Sequence, residues 1–599
     1  SVWDFTKVKG KLGKILLKKS DIFFQNKFFY DTKLNYAENL LKRKDTKPAV
    51  IFKSENNFKK TVTWQELNFN VAKISNWMLS IGIKKGDRVA AYLPNIPETV
   101  IAYISTASLG AVWSSCSPDF GTTGVIDRFS QINPKILFIG DKYFYNGKKI
   151  NIQVRLNKIL ENVPSITKVV VVPYPGTEIE KDKNIKVETY IWNELINSEN
   201  KDKIEYVLSN FNDPLAILYS SGTTGKPKCI CHGTGGILLQ HNKELQIHSD
   251  VKNNDRVFYF TTCGWMMWNW LVGALAAGAS ILLFDGFPMY RKDDLLFEFA
   301  SEEKVTLFGI SAKYIDALNN NGAIPKKNHD LSQLRTICST GSPLSKEGFE
   351  YIYKNIKKNV HLASISGGTD IVSCFVLGNL LQSVYAGEIQ NRGLGMDVDI
   401  FDEKGNSIIN KKGELVCKKP FPSMPVKFWN DDGNIKYKSA YFEKYKNIWH
   451  HGDFAKITKN GGFIIFGRSD TTLNPGGVRL GTAEIYSVVE KFKEIQESIV
   501  IGQTWKNDIR IILFVVLNKD FKLTNEIKEK IKKAIKKEAS PRHVPSKIIQ
   551  ISEVPKTKNG KLVELAVKQS VEKHPIKNLE ALANPDSLKQ FKNIKELNE

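Results

Sequence analysis

Between about residues 89 and 365 the sequence alternates short β-branched or aromatic runs with longer segments of helical period, and that alternation limits the fold more than any other feature. The runs at 89–92, 215–219, 257–261, 280–284, 305–310 and 360–365 predict strands, and the segments 96–108, 236–249, 293–303 and 346–357 predict helices. Strand and helix in turn build βαβ units, which give parallel sheets covered by helices. The fold class is therefore α/β, with a large N-terminal domain of parallel sheets flanked by helices. Ligands of such sheets bind beyond the carboxyl ends of the strands, so the loops that follow strands are where chemistry belongs.

After about residue 393 the texture changes to short strands and Gly-rich turns, Lys404-Gly405-Asn406, Lys412-Gly413 and Asn460-Gly461-Gly462 among them. These predict an antiparallel β subdomain over about 393–467. The remainder mixes a strand-like run at 511–517 with a helix at 524–537, in which Ile527, Ile531 and Ile535 share one face and lysines fill the other. At 599 residues the chain exceeds what one core can serve. The expected division is an N-terminal domain, 1–467, and a small α+β C-terminal domain, 468–599. The most apolar stretch, 265–284, is broken by Asn269, Gly273, Gly278 and Ser280 and reads as a buried helix feeding a strand, not as a bilayer span.

The 86 Lys and Arg outnumber the 63 Asp and Glu, giving a formal charge of +23 that favours anionic partners. The charge is dispersed, carried mostly by Lys, and not interleaved with aromatics or accompanied by zinc-ligand spacing, so a nucleic-acid partner is not expected. A solvated lysine-rich surface accounts for it. Seven cysteines, odd in number and irregular in spacing, argue against a disulfide framework. Cys229 and Cys231 form CxC without a second half. A reducing cytoplasm fits best.

The strongest local signal is Tyr219-Ser220-Ser221-Gly222-Thr223-Thr224-Gly225-Lys226-Pro227-Lys228, which follows an apolar strand. Small residues let backbone approach a ligand, the hydroxyls can donate to phosphate oxygens, and Lys226 and Lys228 add positive charge. Such a segment can cradle a triphosphate; a flexible Ser/Gly linker is the bland alternative. It is not a Walker A loop, because Pro227 follows Lys226 where Ser or Thr belongs.

The order SSGTTGKPK resembles the phosphate-binding signature of the acyl-adenylate-forming superfamily, and further motifs of that family follow in its order. The resemblance implies that Ser220, Ser221, Gly222, Thr223, Thr224, Gly225, Lys226 and Lys228 bind ATP. Gly341-Ser342-Pro343 resembles the turn that packs on adenine. Gly368, Thr369 and Asp370 stand where the family has its Thr-Glu motif, with Thr369 catalytic and Asp370 the Mg2+ ligand, one methylene shorter than the usual Glu. Asp453 of His451-Gly452-Asp453 matches the aspartate that accepts both ribose hydroxyls. Gly467-Arg468-Ser469-Asp470 resembles the hinge, Arg468 near the ribose and Asp470 the pivot. Asn474 and Arg479 complete the implied ATP-binding set. Pro555-Lys556-Thr557-Lys558-Asn559-Gly560-Lys561 resembles the loop of the catalytic lysine, which is Lys561 here. The implied cofactors are Mg2+, ATP and coenzyme A.

Ala37-Glu38-Asn39-Leu40, Trp113-Ser114-Ser115-Cys116-Ser117-Pro118-Asp119-Phe120-Gly121 and Arg479-Leu480-Gly481-Thr482-Ala483-Glu484-Ile485 look like the short-chain acyl-CoA synthetase branch. Within it, TTCGWMMW at 261–268 and ISGGTDI at 365–371 are similar to the acetoacetate-using members. Acetate-specific relatives carry Trp-Trp-Gln where this chain has Ser366-Gly367-Gly368. Loss of an indole at Gly367 is expected to open the acyl pocket to a four-carbon acid, with Trp265, Gly367 and Gly368 touching substrate; glycines that only permit a tight turn are the alternative. The family's coenzyme A arginine falls on Val125, so Arg128 is a nearby substitute, joined by Gly477 and Lys536. The expected activity is ATP-dependent, AMP-forming ligation of a short acid, acetoacetate first, to coenzyme A. An acetyl- or propionyl-CoA synthetase shares that chemistry, delivery to a carrier protein would change the partner, and a basic nucleic-acid-binding protein is the rival from another class. Partners are the small acid, ATP and coenzyme A, without membrane insertion, in a monomer or homodimer.

Overall fold

The computed structural model describes the chain except residues 181–184, 200–201, 221–225, 471, 479, 557–561, 577–581 and 599, and the side chain of Ala483. The described residues form two compact units. The first comprises residues 1–118, 129–219 and 229–466, and the second 119–128, 220–228 and 467–599.

Two large sheets organise the first unit. One has eight strands in the order Glu188–Ile191, Lys168–Val172, Ile136–Gly140, Arg88–Tyr92, Val112–Cys116, Pro214–Ser220, Lys228–Gly233 and Lys427–Phe428. The other has seven, in the order His361–Ser364, Thr336–Thr340, Leu307–Ser311, Arg256–Tyr259, Ser280–Asp285, Pro48–Ser54 and Lys59–Thr63. Neighbours within the second sheet pair in parallel until its last strand, which pairs antiparallel with Pro48–Ser54. The inner strands are apolar on both faces: Val89, Ala90, Ala91 and Tyr92 are all fully buried, as covered parallel strands must be.

Helices form at the segments predicted over 96–108, 236–249, 293–303 and 346–357, and Trp64–Ser80 adds one that the sequence reading did not locate. Pro97 opens helix Pro97–Ser108 at a position whose missing N–H costs nothing. Trp64–Ser80 begins with a capping box between Thr63 and Glu66. The segment read as 236–249 is an α-helix, Thr234–Asn242, that continues as a π-helical turn, Lys243–His248. The stretch 265–284 is a buried helix, Met266–Gly273, leading to strand Ser280–Asp285. No helix among the described residues is long and apolar enough to cross a membrane. All seven cysteines are buried and none is joined in a disulfide.

Beyond the parallel sheets, Ser366–Gly368, Ser373–Leu377 and Asn391–Arg392 form a small antiparallel sheet. A four-stranded sheet follows, in the order Val398–Phe401, Gly413–Cys417, Trp449–Ile457 and Phe463–Arg468, antiparallel across its first three strands. The second unit is built on strands Ile495–Trp505, Asp508–Leu517 and Lys547–Gln550. Its helix Asn525–Glu538 is capped by Thr524, whose side chain accepts from the Ile527 amide, and turns Ile531 and Ile535 fully inward. Strands Pro48–Ser54 and Lys59–Thr63, ahead of the alternating region, are an addition to what the sequence reading located.

Candidate active site

Strands Thr336–Thr340 and His361–Ser364 lie side by side in parallel, and the chain segments leaving their carboxyl ends are the ones marked in the sequence. Gly341, at φ 94°, turns the first of these into the exposed Gly341-Ser342-Pro343 bend, a backbone region that suits glycine. The second enters the hairpin that carries Gly367, Gly368, Thr369 and Asp370. Thr340 Oγ1 donates to the Ile365 carbonyl at 2.9 Å and joins the two exits.

Asp370 is almost fully buried, and Tyr441 donates its hydroxyl to Asp370 Oδ1 at 2.6 Å. Tyr441 is itself held by stacking on Trp449, ring centres 3.8 Å apart, at the head of strand Trp449–Ile457. The same strand carries His451 and Asp453, with His451 Nε2 3.4 Å from Asp453 Oδ2. A Cβ built on Gly368 would stand 3.7 Å from His451 Nε2 and 3.8 Å from Asp370 Oδ2. The Thr-Asp motif and the His-Gly-Asp motif, about 80 residues apart in sequence, thus converge on one glycine.

His232, on strand Lys228–Gly233, completes this group. Burial pushes its imidazole down to about 4, against the opposing pull of the Thr369 backbone and the Asp370 carboxylate. A neutral ring therefore faces the motif at ordinary pH. His232 and Tyr441 escaped the sequence reading. A single His in an apolar strand is more often a core residue, and Tyr441 was visible only as the i+4 neighbour of Tyr437.

The two glycines differ. A Cβ at Gly367 would meet the Ser373 carbonyl oxygen at 2.0 Å and Cys374 Cα at 2.6 Å, because Gly367 pairs directly with Cys374 across the hairpin. The expectation that Gly367 enlarges the acyl pocket is corrected on this point: its missing side chain admits the opposing strand. Gly368 has ordinary contact room. Gly367→Ala is accordingly expected to lower stability by about 3 kcal/mol, measured as a shift in the urea midpoint, because backbone and not a flexible side chain must move. Gly368→Ala is expected to leave that midpoint near wild type.

The two segments that pointed to a branch of the family dock on one another. Ser115 donates to the Cys263 carbonyl at 2.6 Å, the Gly264 amide donates to Ser117 Oγ at 3.2 Å, and Ser117 and Thr262 share a hydroxyl hydrogen bond. Trp265 then caps helix Met266–Gly273, all of whose residues are buried.

In the second unit, Ser220 is buried at the end of its strand, Lys226 is exposed and Lys228 is partly exposed. Residues 221–225, Arg479 and Lys561 lie outside the described residues. Arg468 donates through Nε to Asp470 Oδ1 at 3.0 Å, and these two residues, Asn474, Glu564 and Lys568 line a small pocket. Glu564, whose carboxyl burial pushes above the usual range, accepts from Tyr486 at 3.1 Å. Gly477 sits at φ 79° in the turn Pro475–Gly477, and Lys536 is exposed on its helix. Arg128 has another task than the one expected. Its guanidinium is buried, donates to the Gly124 carbonyl at 2.7 Å and to Glu484 Oε1 at 3.0 Å, and covers the Phe120 ring. Glu484 also meets His543 Nε2 at 3.0 Å. In this structure the charge of Arg128 is thus matched inside the protein by Glu484.

Residues 37–424 match the AMP-binding enzyme family and residues 484–561 match the AMP-binding enzyme C-terminal domain. The acetoacetyl-coenzyme A synthetase of Rhizobium meliloti (strain 1021) is 49% identical over 597 residues, covering 100% of this chain and 91% of that protein. The chain belongs to the acetoacetyl-CoA synthetases of the AMP-binding enzyme family. Another synthetase of this name, from Xenopus tropicalis, is 42% identical over 99% of this chain and 90% of its own length. Among solved structures, the acetoacetyl-CoA synthetase from Streptomyces lividans is similar with a TM-score of 0.75 and 37% identity, over 100% of this chain and 92% of that one. The family's AMP-binding region spans the Thr369-Asp370 motif and its hairpin, while His451 and Asp453 lie beyond the matched residues 37–424.

Proposed function

We propose that this chain joins acetoacetate to coenzyme A through an acyl-adenylate, converting ATP to AMP and pyrophosphate. The observation that carries the reading is the convergence of Asp370 and His451 on Gly368, with Asp453 3.4 Å from His451, beyond the carboxyl end of a parallel strand. An aspartate with two oxygens suits a ribose diol, and Asp453 takes that part. Gly341, Ser342 and Pro343 pack on the base, while Ser220, residues 221–225, Lys226 and Lys228 hold the β and γ phosphates, assisted by Arg468, Asn474 and Arg479.

Mg2+ fits this donor set. One buried carboxylate, Asp370, next in sequence to Thr369, suits an ion that takes most of its ligands from phosphates and water. Among the described residues no cluster of three or more His, Cys, Asp or Glu offers a rival metal site. When bound, the ion neutralises phosphate charge. Tyr441 fixes the carboxylate that would hold it.

In the first half-reaction a carboxylate oxygen of the acid attacks the α-phosphorus, the bond to the β-phosphate oxygen breaks, and pyrophosphate leaves. Lys561 stabilises the negative charge that gathers on the reacting oxygens. The C-terminal segment then turns about Asp470, withdrawing Lys561, and the coenzyme A thiol, losing its proton, attacks the adenylate carbonyl to expel AMP. Gly477 and Lys536 serve this second step, the lysine through the coenzyme's phosphates. Trp265 and Gly368 border the acid. Buried cysteines outside any disulfide support a reducing compartment, the cytoplasm.

The test is AMP release with acetate, propionate, butyrate and acetoacetate, each with and without coenzyme A. Acetoacetate is expected to give the highest kcat/KM, with sustained turnover only when coenzyme A is present. A preference for acetate or propionate would reassign the substrate, and no acid-dependent AMP would remove the activity altogether.

A further inference from the structure

The helix that follows strand Lys228–Gly233 grips the Asp370 hairpin along one face. Gln240, His241, Glu244 and His248 recur at helical spacing across Thr234–Asn242 and the π-helical turn Lys243–His248, so they point the same way. His241 Nε2 lies 2.8 Å from the carbonyl of Val372, a β-branched residue held at φ 49°. Gln240 donates to Ser373 Oγ at 2.7 Å, and His248 Nδ1 lies 2.8 Å from the Gly378 carbonyl.

Glu244 stands at the centre of this grip and is fully buried. Its Oε1 accepts from the Ser373 hydroxyl at 2.8 Å, the Cys374 amide at 3.0 Å and Gln240 at 3.3 Å. Its Oε2 accepts from the Trp270 indole at 3.0 Å. Ser373 and Cys374 are the cross-strand partners of Gly368 and Gly367. Trp270 lies on helix Met266–Gly273, which Trp265 caps. One buried carboxylate therefore joins the two segments assigned to the acid pocket, and with donors on both of its oxygens it fixes their relative geometry.

We infer that Glu244 is a positioning residue that sets affinity and selectivity for the acid by holding the hairpin Ser366–Gly368/Ser373–Leu377 against helix Met266–Gly273; the inference rests on the acid pocket proposed above. Both of its oxygens are occupied by protein donors, so it acts through Gly368 and Trp265 and not on the substrate itself. A merely structural carboxylate would affect ATP and acid alike. A positioning one separates them.

Glu244→Gln keeps the volume but replaces one acceptor oxygen by an NH2 group that must confront either the Trp270 indole or the Ser373 and Cys374 donors. In acid-dependent pyrophosphate exchange its KM for acetoacetate is expected to rise about ten-fold, the scale of one lost hydrogen bond to a carboxylate, while KM for ATP stays within about two-fold of wild type. The ratio of acetoacetate to acetate use is expected to fall with it. Ser373→Ala and Trp270→Phe each remove one donor and are expected to raise the acid KM about three-fold; they carry the test if Glu244→Gln does not fold. An unchanged acid KM in the folded variants, or a KM for ATP that rises in step with it, overturns the inference. A wild-type enzyme that exchanges pyrophosphate with no short acid overturns the functional reading first, and this inference with it, before any variant is made.

Discussion

Lys561→Ala is expected to lower acetoacetyl-adenylate formation about 10³-fold while still converting supplied acetoacetyl-adenylate and coenzyme A to thioester at close to the wild-type rate. The two half-reactions make different electrostatic demands. Adenylation gathers negative charge on oxygens around the α-phosphorus as they leave water, and a single fixed ammonium is the least costly way to offset it. Thioester formation expels AMP from an already activated carbonyl and does not need that cation in place. Lys556 and Leu562, the described residues that flank this stretch of sequence, pair through a β-bridge. Single-turnover assays of the separate steps check this, and an equal loss in both would contradict the assigned role.

Asp370→Asn is expected to reduce kcat/KM for MgATP about 10²-fold with little change in the thermal midpoint. The amide oxygen can still accept from Tyr441, which preserves the 2.6 Å contact holding the hairpin to the Trp449 strand. What is lost is the charge that a hard cation requires. Initial rates across a Mg2+ titration decide the matter: the variant should need more Mg2+ and still fall short of the wild-type plateau. A variant with wild-type Mg2+ dependence would take Asp370 out of the metal site.

Strands such as Arg88–Tyr92 and Leu307–Ser311 were legible because parallel strands buried on both faces are continuous apolar runs, and the turns that follow them marked where a ligand belongs. Pro48–Ser54 reads as apolar too, but beside its near neighbour Lys59–Thr63 it pairs with Ser280–Asp285, more than two hundred residues away, and no local pattern announces so distant a pairing. Gly367 shows the limit at the site. A sequence reveals that a side chain is missing, but whether the vacancy faces ligand or backbone depends on the direction of a Cβ that only the hairpin register defines. Arg128 shows another. Its charge was visible, yet the Glu484 that matches it lies 356 residues further along. Glu244 and His232 were hidden for a related reason, since a buried polar residue gains its meaning from partners in other segments.

The most direct test of the central claim is exchange of labelled pyrophosphate into ATP, with acetoacetate and Mg2+ present and coenzyme A absent. Label entering ATP only when the acid is added is the predicted result, because reversible adenylate formation alone suffices for it. No exchange with acetoacetate or any other short acid, from folded protein, would contradict the account.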